Sequence, residues 1–102
     1  MMNKTRRQEL SDVIRGLNRM QEIDDLYAWI NTLDGIKDDE QSYYDNIPEN
    51  LQSSQRAEDS ESAIDNLDEA LGLLNELYNM DEFDKDSELI EQAINKIEDA
   101  IW

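Results

Sequence analysis

The chain has 102 residues with no cysteine and no histidine, and its nine Lys and Arg residues stand against 26 Asp and Glu residues, for a net charge of −17. This composition excludes disulfides, thiol nucleophiles and imidazole-based metal or acid–base chemistry. The negative charge also disfavours direct binding to nucleic acid or to an anionic membrane, because both would repel the protein. Three Gly and one Pro are too few for an all-β fold,. The length favours one domain over residues 1–102, and the composition favours an all-α fold.

The first predicted helix covers about residues 5–45. Three consecutive steps of three residues between apolar positions, from Leu17 to Leu26, predict a kink near residues 20–24,. Gly35 weakens the helix and leaves a second break there as an alternative,. The apolar residues recur at the spacings of three and four that a buried helical face requires: Leu10, Val13, Ile14, Leu17, Met20, Ile23, Leu26, Tyr27, Ile30, Leu33 and Ile36.

A Pro-containing corner is predicted near residues 46–52, and the connection reaches residue 53. Pro48 cannot continue the incoming helix, and it favours an extended conformation at the residue before it,. Ile47 and Leu51 are expected to pack beneath the corner.

The second arm is predicted to contain a helix over about residues 54–80 and a last helix over about residues 87–101, separated by an Asp-rich stretch. Leu73, Leu77 and Met80 form a second apolar strip on the first of these helices. The strip either packs under the last helix or forms a homodimer seam. The fold is therefore expected to be an antiparallel helical hairpin or a three-helix bundle. The main seams are Ile64, Leu67, Leu71, Leu74 and Tyr78, then Ile90, Ala93, Ile94, Ile97 and Ile101.

Residues 45–54 read Asp-Asn-Ile-Pro-Glu-Asn-Leu-Gln-Ser-Ser, residues 63–70 read Ala-Ile-Asp-Asn-Leu-Asp-Glu-Ala, and residues 4–7 read Lys-Thr-Arg-Arg. With these segments the chain resembles small acidic helical-hairpin proteins that phages and prophages of Gram-positive bacteria encode. The resemblance implies a phage origin and a helical hairpin, but no reaction. The Asp-rich residues 81–86 and the terminal Trp102 depart from the family pattern.

A calcium loop is the nearest match to a metal motif, and it fails. Asp84, Asp86 and Glu88 have the spacing of its first three ligands, but Leu89 stands where the loop needs Gly,. Asn95 stands where the loop needs a bidentate Glu. Because no Gly-rich phosphate loop or nucleophile–base pair is present either, we predict a non-enzymatic protein with no catalytic residue, no metal and no cofactor.

The acidic residues are the strongest candidates for binding. Like charges three or four residues apart destabilise a helix, so their clustering suggests a partner that supplies cations. The alternative, a solvated face that serves solubility alone, stays open. The candidate acidic residues are Asp38, Asp39, Glu40, Glu58, Asp59, Glu61, Asp65, Asp68 and Glu69. The candidate apolar contacts are Trp29, Leu73, Leu77 and Met80.

Two classes of function agree with these features. The first is an acidic phage inhibitor of a host defence complex, one that mimics nucleic acid as anti-CRISPR proteins do. The second is a non-enzymatic assembly module that acts through a helical dimer seam. The expected partner is a protein with a basic surface, such as a nucleic-acid-binding host defence protein. Because no apolar run is long enough for a signal peptide or a membrane span, the expected location is the bacterial cytosol,.

Overall fold

Residues 2–102 form four α-helices. The computed structural model describes residues 2–102, which contain helices and turns but no strand. The helices are α1 (Lys4–Arg19), α2 (Ile23–Asp45), α3 (Gln55–Tyr78) and α4 (Glu88–Ala100), with a 3₁₀ turn at Glu49–Leu51. The all-α prediction is confirmed for this part of the chain. None of these helices is long and apolar enough to cross a membrane.

The predicted helix over residues 5–45 is two helices. The sequence predicts a kink near residues 20–24, but the chain leaves the helical conformation over residues 20–22. Met20 is extended, with ψ at 144°. The Asp25 carboxylate then accepts hydrogen bonds from the backbone N–H groups of Gln21 and Glu22, at 3.2 and 3.3 Å. These bonds satisfy donors at the start of α2 and fix the break. Gly35 stays helical inside α2.

The helices form a bundle in which α2 contacts α1 and α3, and α4 contacts α3 and α1. Glu40 meets Ser60 and Tyr27 meets Tyr78, so α2 and α3 run in opposite directions. α4 folds back along α3, where Lys96 Nζ lies 2.7 Å from Glu69 Oε2. The bundle measures 49 × 22 × 18 Å. The last helix therefore covers α3, and the predicted three-helix count is wrong because the first predicted helix is broken.

The core runs along the inward faces of all four helices. Its largest fully buried apolar side chains include Leu10, Leu17, Leu26, Leu33, Ile36, Leu67, Leu74, Leu77 and Ile97. In the first half of α3 the buried residues are small, which lets neighbouring helices approach closely. These residues are Ala57, Ser60 and Ala63. Of the predicted α3 seam, Leu67, Leu71 and Leu74 are buried, whereas Ile64 is half-buried and Tyr78 is exposed. At the corner Ile47 is buried, but Leu51 is 45% exposed and does not pack beneath it.

Candidate protein-binding surface

One face of α3 carries six exposed carboxylates, of which Glu76 lies furthest along the helix, and we name the five between residues 58 and 69 the α3 acidic face. Apart from the adjacent Asp68 and Glu69, successive members lie three or four residues apart, within an arc of about 100° around the helix at about 100° per residue. They are Glu58, Glu61, Asp65, Asp68 and Glu69. All five belong to the predicted binding residues. The structure therefore brings more than half of that predicted set onto one surface.

Two lysines from neighbouring helices neutralise one edge each of the α3 acidic face. Lys37 Nζ lies 2.9 Å from Asp68 Oδ1, and this hydrogen bond raises the pKa of Lys37. Lys96 is hydrogen-bonded to Glu69, which raises the pKa of Lys96. Within residues 2–102, no ion pair forms to Glu58, Glu61 or Asp65. The centre of the face therefore keeps its full negative charge.

The negative surface extends from α3 onto α2. Asp38 is exposed and close enough to Lys37 for its charge to raise the pKa of that lysine, and Asp34 acts in the same way. Asp38 was in the predicted set, but Asp34 was not. Asp34 lies three residues before Lys37 and four residues before Asp38, and this spacing indicates that it shares their face of α2.

Glu40 does not belong to this surface, and its prediction as an exposed binding residue is wrong. Its side chain is fully buried. Arg6 Nε donates to Oε1 at 3.1 Å, and the Ser60 hydroxyl donates to Oε2 at 2.5 Å. The buried carboxylate is thus paired and hydrogen-bonded, as burial of a charge requires. It ties α1, α2 and α3 together.

Asp39 and Asp59 also point away from the α3 acidic face. Asp39 lines a groove of about 830 Å³ at the corner, together with Arg6 and Arg56. Asp59 is half-buried and accepts a hydrogen bond from Gln55 Nε2 at 2.8 Å. Asp59 lies about one third of a turn around α3 from the centre of the acidic arc. Asp39 is on α2, in the groove at the corner.

The predicted apolar contacts do not form one exposed strip. Leu77 is fully buried in the core, so its prediction as a surface contact is wrong. Leu73 is half-buried in the junction between α3 and α4, beside Lys96. Trp29 is half-buried, and its indole lies against Gly16, where a Cβ atom would overlap the ring. Met80 is 46% exposed. Leu73, Leu77 and Met80 therefore do not form one continuous exposed strip.

The exposed apolar residues that the sequence analysis missed are Ile23, Tyr27 and Tyr78. Each of them lies at the correct spacing for a core seam, and the spacing gave no reason to expect exposure. Within residues 2–102, no group of Asp and Glu residues has the geometry of a metal site. Comparisons of the chain with known protein families, characterised proteins and solved structures find no match.

Proposed function

We propose that this protein is a non-enzymatic inhibitor that binds the basic surface of a partner protein through the α3 acidic face. The observation that carries the proposal is the exposed centre of this face. Glu58, Glu61 and Asp65 share one arc, and no residue of the described chain forms an ion pair with them. Mutual repulsion of these carboxylates costs helix stability. A cationic partner removes that cost and associates faster because of the complementary charge.

The partner's surface is one that otherwise binds nucleic acid. Carboxylates three or four residues apart on a helix are separated along its axis by about 4.5–6 Å. One strand of duplex DNA carries a charge about every 3.4 Å. The α3 acidic face therefore offers a cationic groove a row of negative charge of comparable density, on a rigid helix.

The proposed biological setting is a phage protein acting against a host defence complex. Support comes from the resemblance of residues 45–54 and 63–70 to phage-encoded acidic proteins. Defence complexes that capture nucleic acid present cationic grooves of the kind described above. The alternative is an assembly module that acts through a helical dimer seam; we favour the inhibitor because Leu77, in the middle of the predicted seam, is buried.

The test is capture of bacterial proteins on the immobilised protein, followed by elution with salt or with double-stranded DNA. The binding variant is Glu61→Lys with Asp65→Lys. The matched control is Glu91→Lys with Glu98→Lys, which changes the net charge equally on the exposed side of α4 that lies away from Lys96,. Circular dichroism establishes that both variants stay helical.

Captured nucleic-acid-binding proteins should be displaced by DNA and released between low and physiological salt, because the contacts are electrostatic. The α3 variant should lose them and the α4 variant should retain them. If both variants lose them equally, net charge alone governs binding. If neither loses them, the α3 acidic face is not the binding surface.

A further inference from the structure

Four exposed apolar side chains lie at the end of the bundle opposite the corner, and we name them the Tyr27 patch. The exposed fractions are 37% for Ile23, 53% for Tyr27, 36% for Tyr78 and 46% for Met80. Only Leu51, at the corner end, is a further exposed large apolar residue within residues 2–102. Clustering of this kind, in contrast to single scattered apolar residues, is typical of an interaction site.

The patch is continuous across α2 and α3. The rings of Tyr27 and Tyr78 have their centroids 5.8 Å apart. Ile23 lies one helical turn before Tyr27 on the same face of α2,. Met80 lies two residues beyond the end of α3 and lines a groove together with Gln21, which is two residues before Ile23, so it extends the patch at this end of the bundle. Aromatic and methionine side chains are enriched in protein interfaces, which makes this composition suited to binding.

Carboxylates border the patch. Asp24 is adjacent to Ile23, and Asp81 and Glu82 follow Met80. The nearby cation Lys85 donates a hydrogen bond to Gln21 Oε1 at 3.1 Å. The border is therefore mainly negative. The apolar surface inside it suits apolar side chains of a partner that are flanked by Lys or Arg residues of the same partner.

The charge of the border selects the occupant. A second copy of the chain would bring carboxylates against carboxylates, and each copy carries a net charge of −17. Anionic membranes and nucleic acids are repelled for the same reason. We propose that the Tyr27 patch binds a cationic amphipathic segment of a partner protein, with its apolar side chains on Tyr27 and Met80 and its Lys or Arg residues on the acidic border. This site is separate from the α3 acidic face.

The test uses a helical peptide of Lys, Leu and Trp with one apolar face, and a scrambled peptide of the same composition that has none. Binding is measured by fluorescence anisotropy. The test variant is Tyr27→Ser with Met80→Ser, and the matched control is Leu51→Ser, because Leu51 and Met80 are equally exposed at opposite ends. The amphipathic peptide should bind the test variant about tenfold more weakly or worse, since large side chains at an interface dominate affinity. The Leu51→Ser variant should bind it as the wild type does.

The proposal is overturned if the test variant retains wild-type affinity, if Leu51→Ser weakens binding equally, or if both peptides bind the wild type equally well. Should the double variant lose helix content, Met80→Ser alone carries the test, because Met80 lies outside the helices. Charge reversal at Glu61 and Asp65 tests the other proposal separately. It should weaken both peptides alike by removing general attraction, whereas loss of the Tyr27 patch should affect only the amphipathic one.

Discussion

Both ends of the bundle carry an aromatic pair, but the pair is half-buried at one end and exposed at the other. At the corner end the rings of Tyr43 and Trp102 lie 5.9 Å apart, both half-buried. At the other end Tyr27 and Tyr78 are 5.8 Å apart and exposed. Similar ring contacts therefore stabilise the fold at one end and leave an open surface at the other.

The difference comes from what surrounds each pair. The Arg6 guanidinium lies over the Tyr43 ring, 5.2 Å from its centroid, and also binds the buried Glu40. The Met2 backbone N–H donates to the Trp102 backbone oxygen at 2.5 Å, which joins the start of α1 to the end of α4. At the Tyr27 end, the exposed hydrogen bond between Lys85 and Gln21 links the two connections. We therefore expect the corner end to be the more stable of the two, and low local stability is typical of binding regions.

The largest expected effect is that of Glu40→Ala. It leaves Arg6, whose side chain is only 11% exposed, without its counter-ion. Breaking a buried pair in this way costs about 3–5 kcal/mol. We expect the free energy of unfolding in urea to fall by that amount. Asp68→Ala, which removes an exposed pair, should lower it by less than about 1 kcal/mol; equal losses would show that the corner end is not specially stabilised.

The comparison of the two aromatic pairs is tested by Tyr43→Ala and Tyr27→Ala. Removing a fully buried aromatic side chain costs about 3–5 kcal/mol, so the half-buried Tyr43 should cost about 2 kcal/mol,. Tyr27 is 53% exposed and should cost less than about 1 kcal/mol,. Thermal and urea unfolding measure both. A greater loss for Tyr27 would reverse the assignment of the two ends.

How far the close packing extends from the corner is tested at two glycines. An added methyl group at Gly16 overlaps the Trp29 indole, whereas one at Gly35 meets no atom within 4 Å. Gly35→Ala should therefore raise the free energy of unfolding by about 1 kcal/mol, because alanine favours the helix. Gly16→Ala should lower it by about 1 kcal/mol, because Trp29 is displaced. If both substitutions stabilise the protein, Trp29 does not hold α1 against α2.

The smallest expected effect is on pH dependence. The hydrogen bond to Asp68 raises the pKa of Lys37 above its unfolded value. Its stabilisation is therefore fully present below the unfolded pKa, about 10.4, and is lost as the pH rises through the higher folded value. At neutral pH the free energy of unfolding of the wild type should exceed that of Asp68→Asn by less than about 1 kcal/mol, as measured by thermal unfolding. This difference should vanish in strong alkali. A difference that grows with pH would contradict the pairing.

The sequence predicts where the helices lie better than it predicts which of their side chains are buried. Ser87 followed by the apolar spacing from Ile90 predicts α4, and Ser87 does cap that helix, accepting a hydrogen bond from the Leu89 N–H. Steps of three residues indicate the break after Arg19, but not that three residues leave the helix. Local pattern is sufficient for such features because they depend on neighbouring residues.

The burial of charged and aromatic residues depends on distant parts of the chain. Glu40 looks like part of an acidic run, although its spacing of seven residues after Leu33 places it on the core face of α2. Its partner Arg6 is 34 residues away, and no local pattern indicates that pairing. Tyr27 has the spacing of a core residue, but it is 53% exposed, and the Tyr78 ring that it contacts is itself exposed.

The most direct test of binding at the Tyr27 patch, as opposed to the corner end, is residue-resolved NMR on the ¹⁵N-labelled protein, titrated with the amphipathic peptide. We expect amide shifts to change most around Ile23, Tyr27, Tyr78 and Met80. Amides around Tyr43 and Trp102 should stay close to their free positions, because that pair is already packed. Changes centred on Tyr43, Leu51 and Trp102 instead would contradict the account.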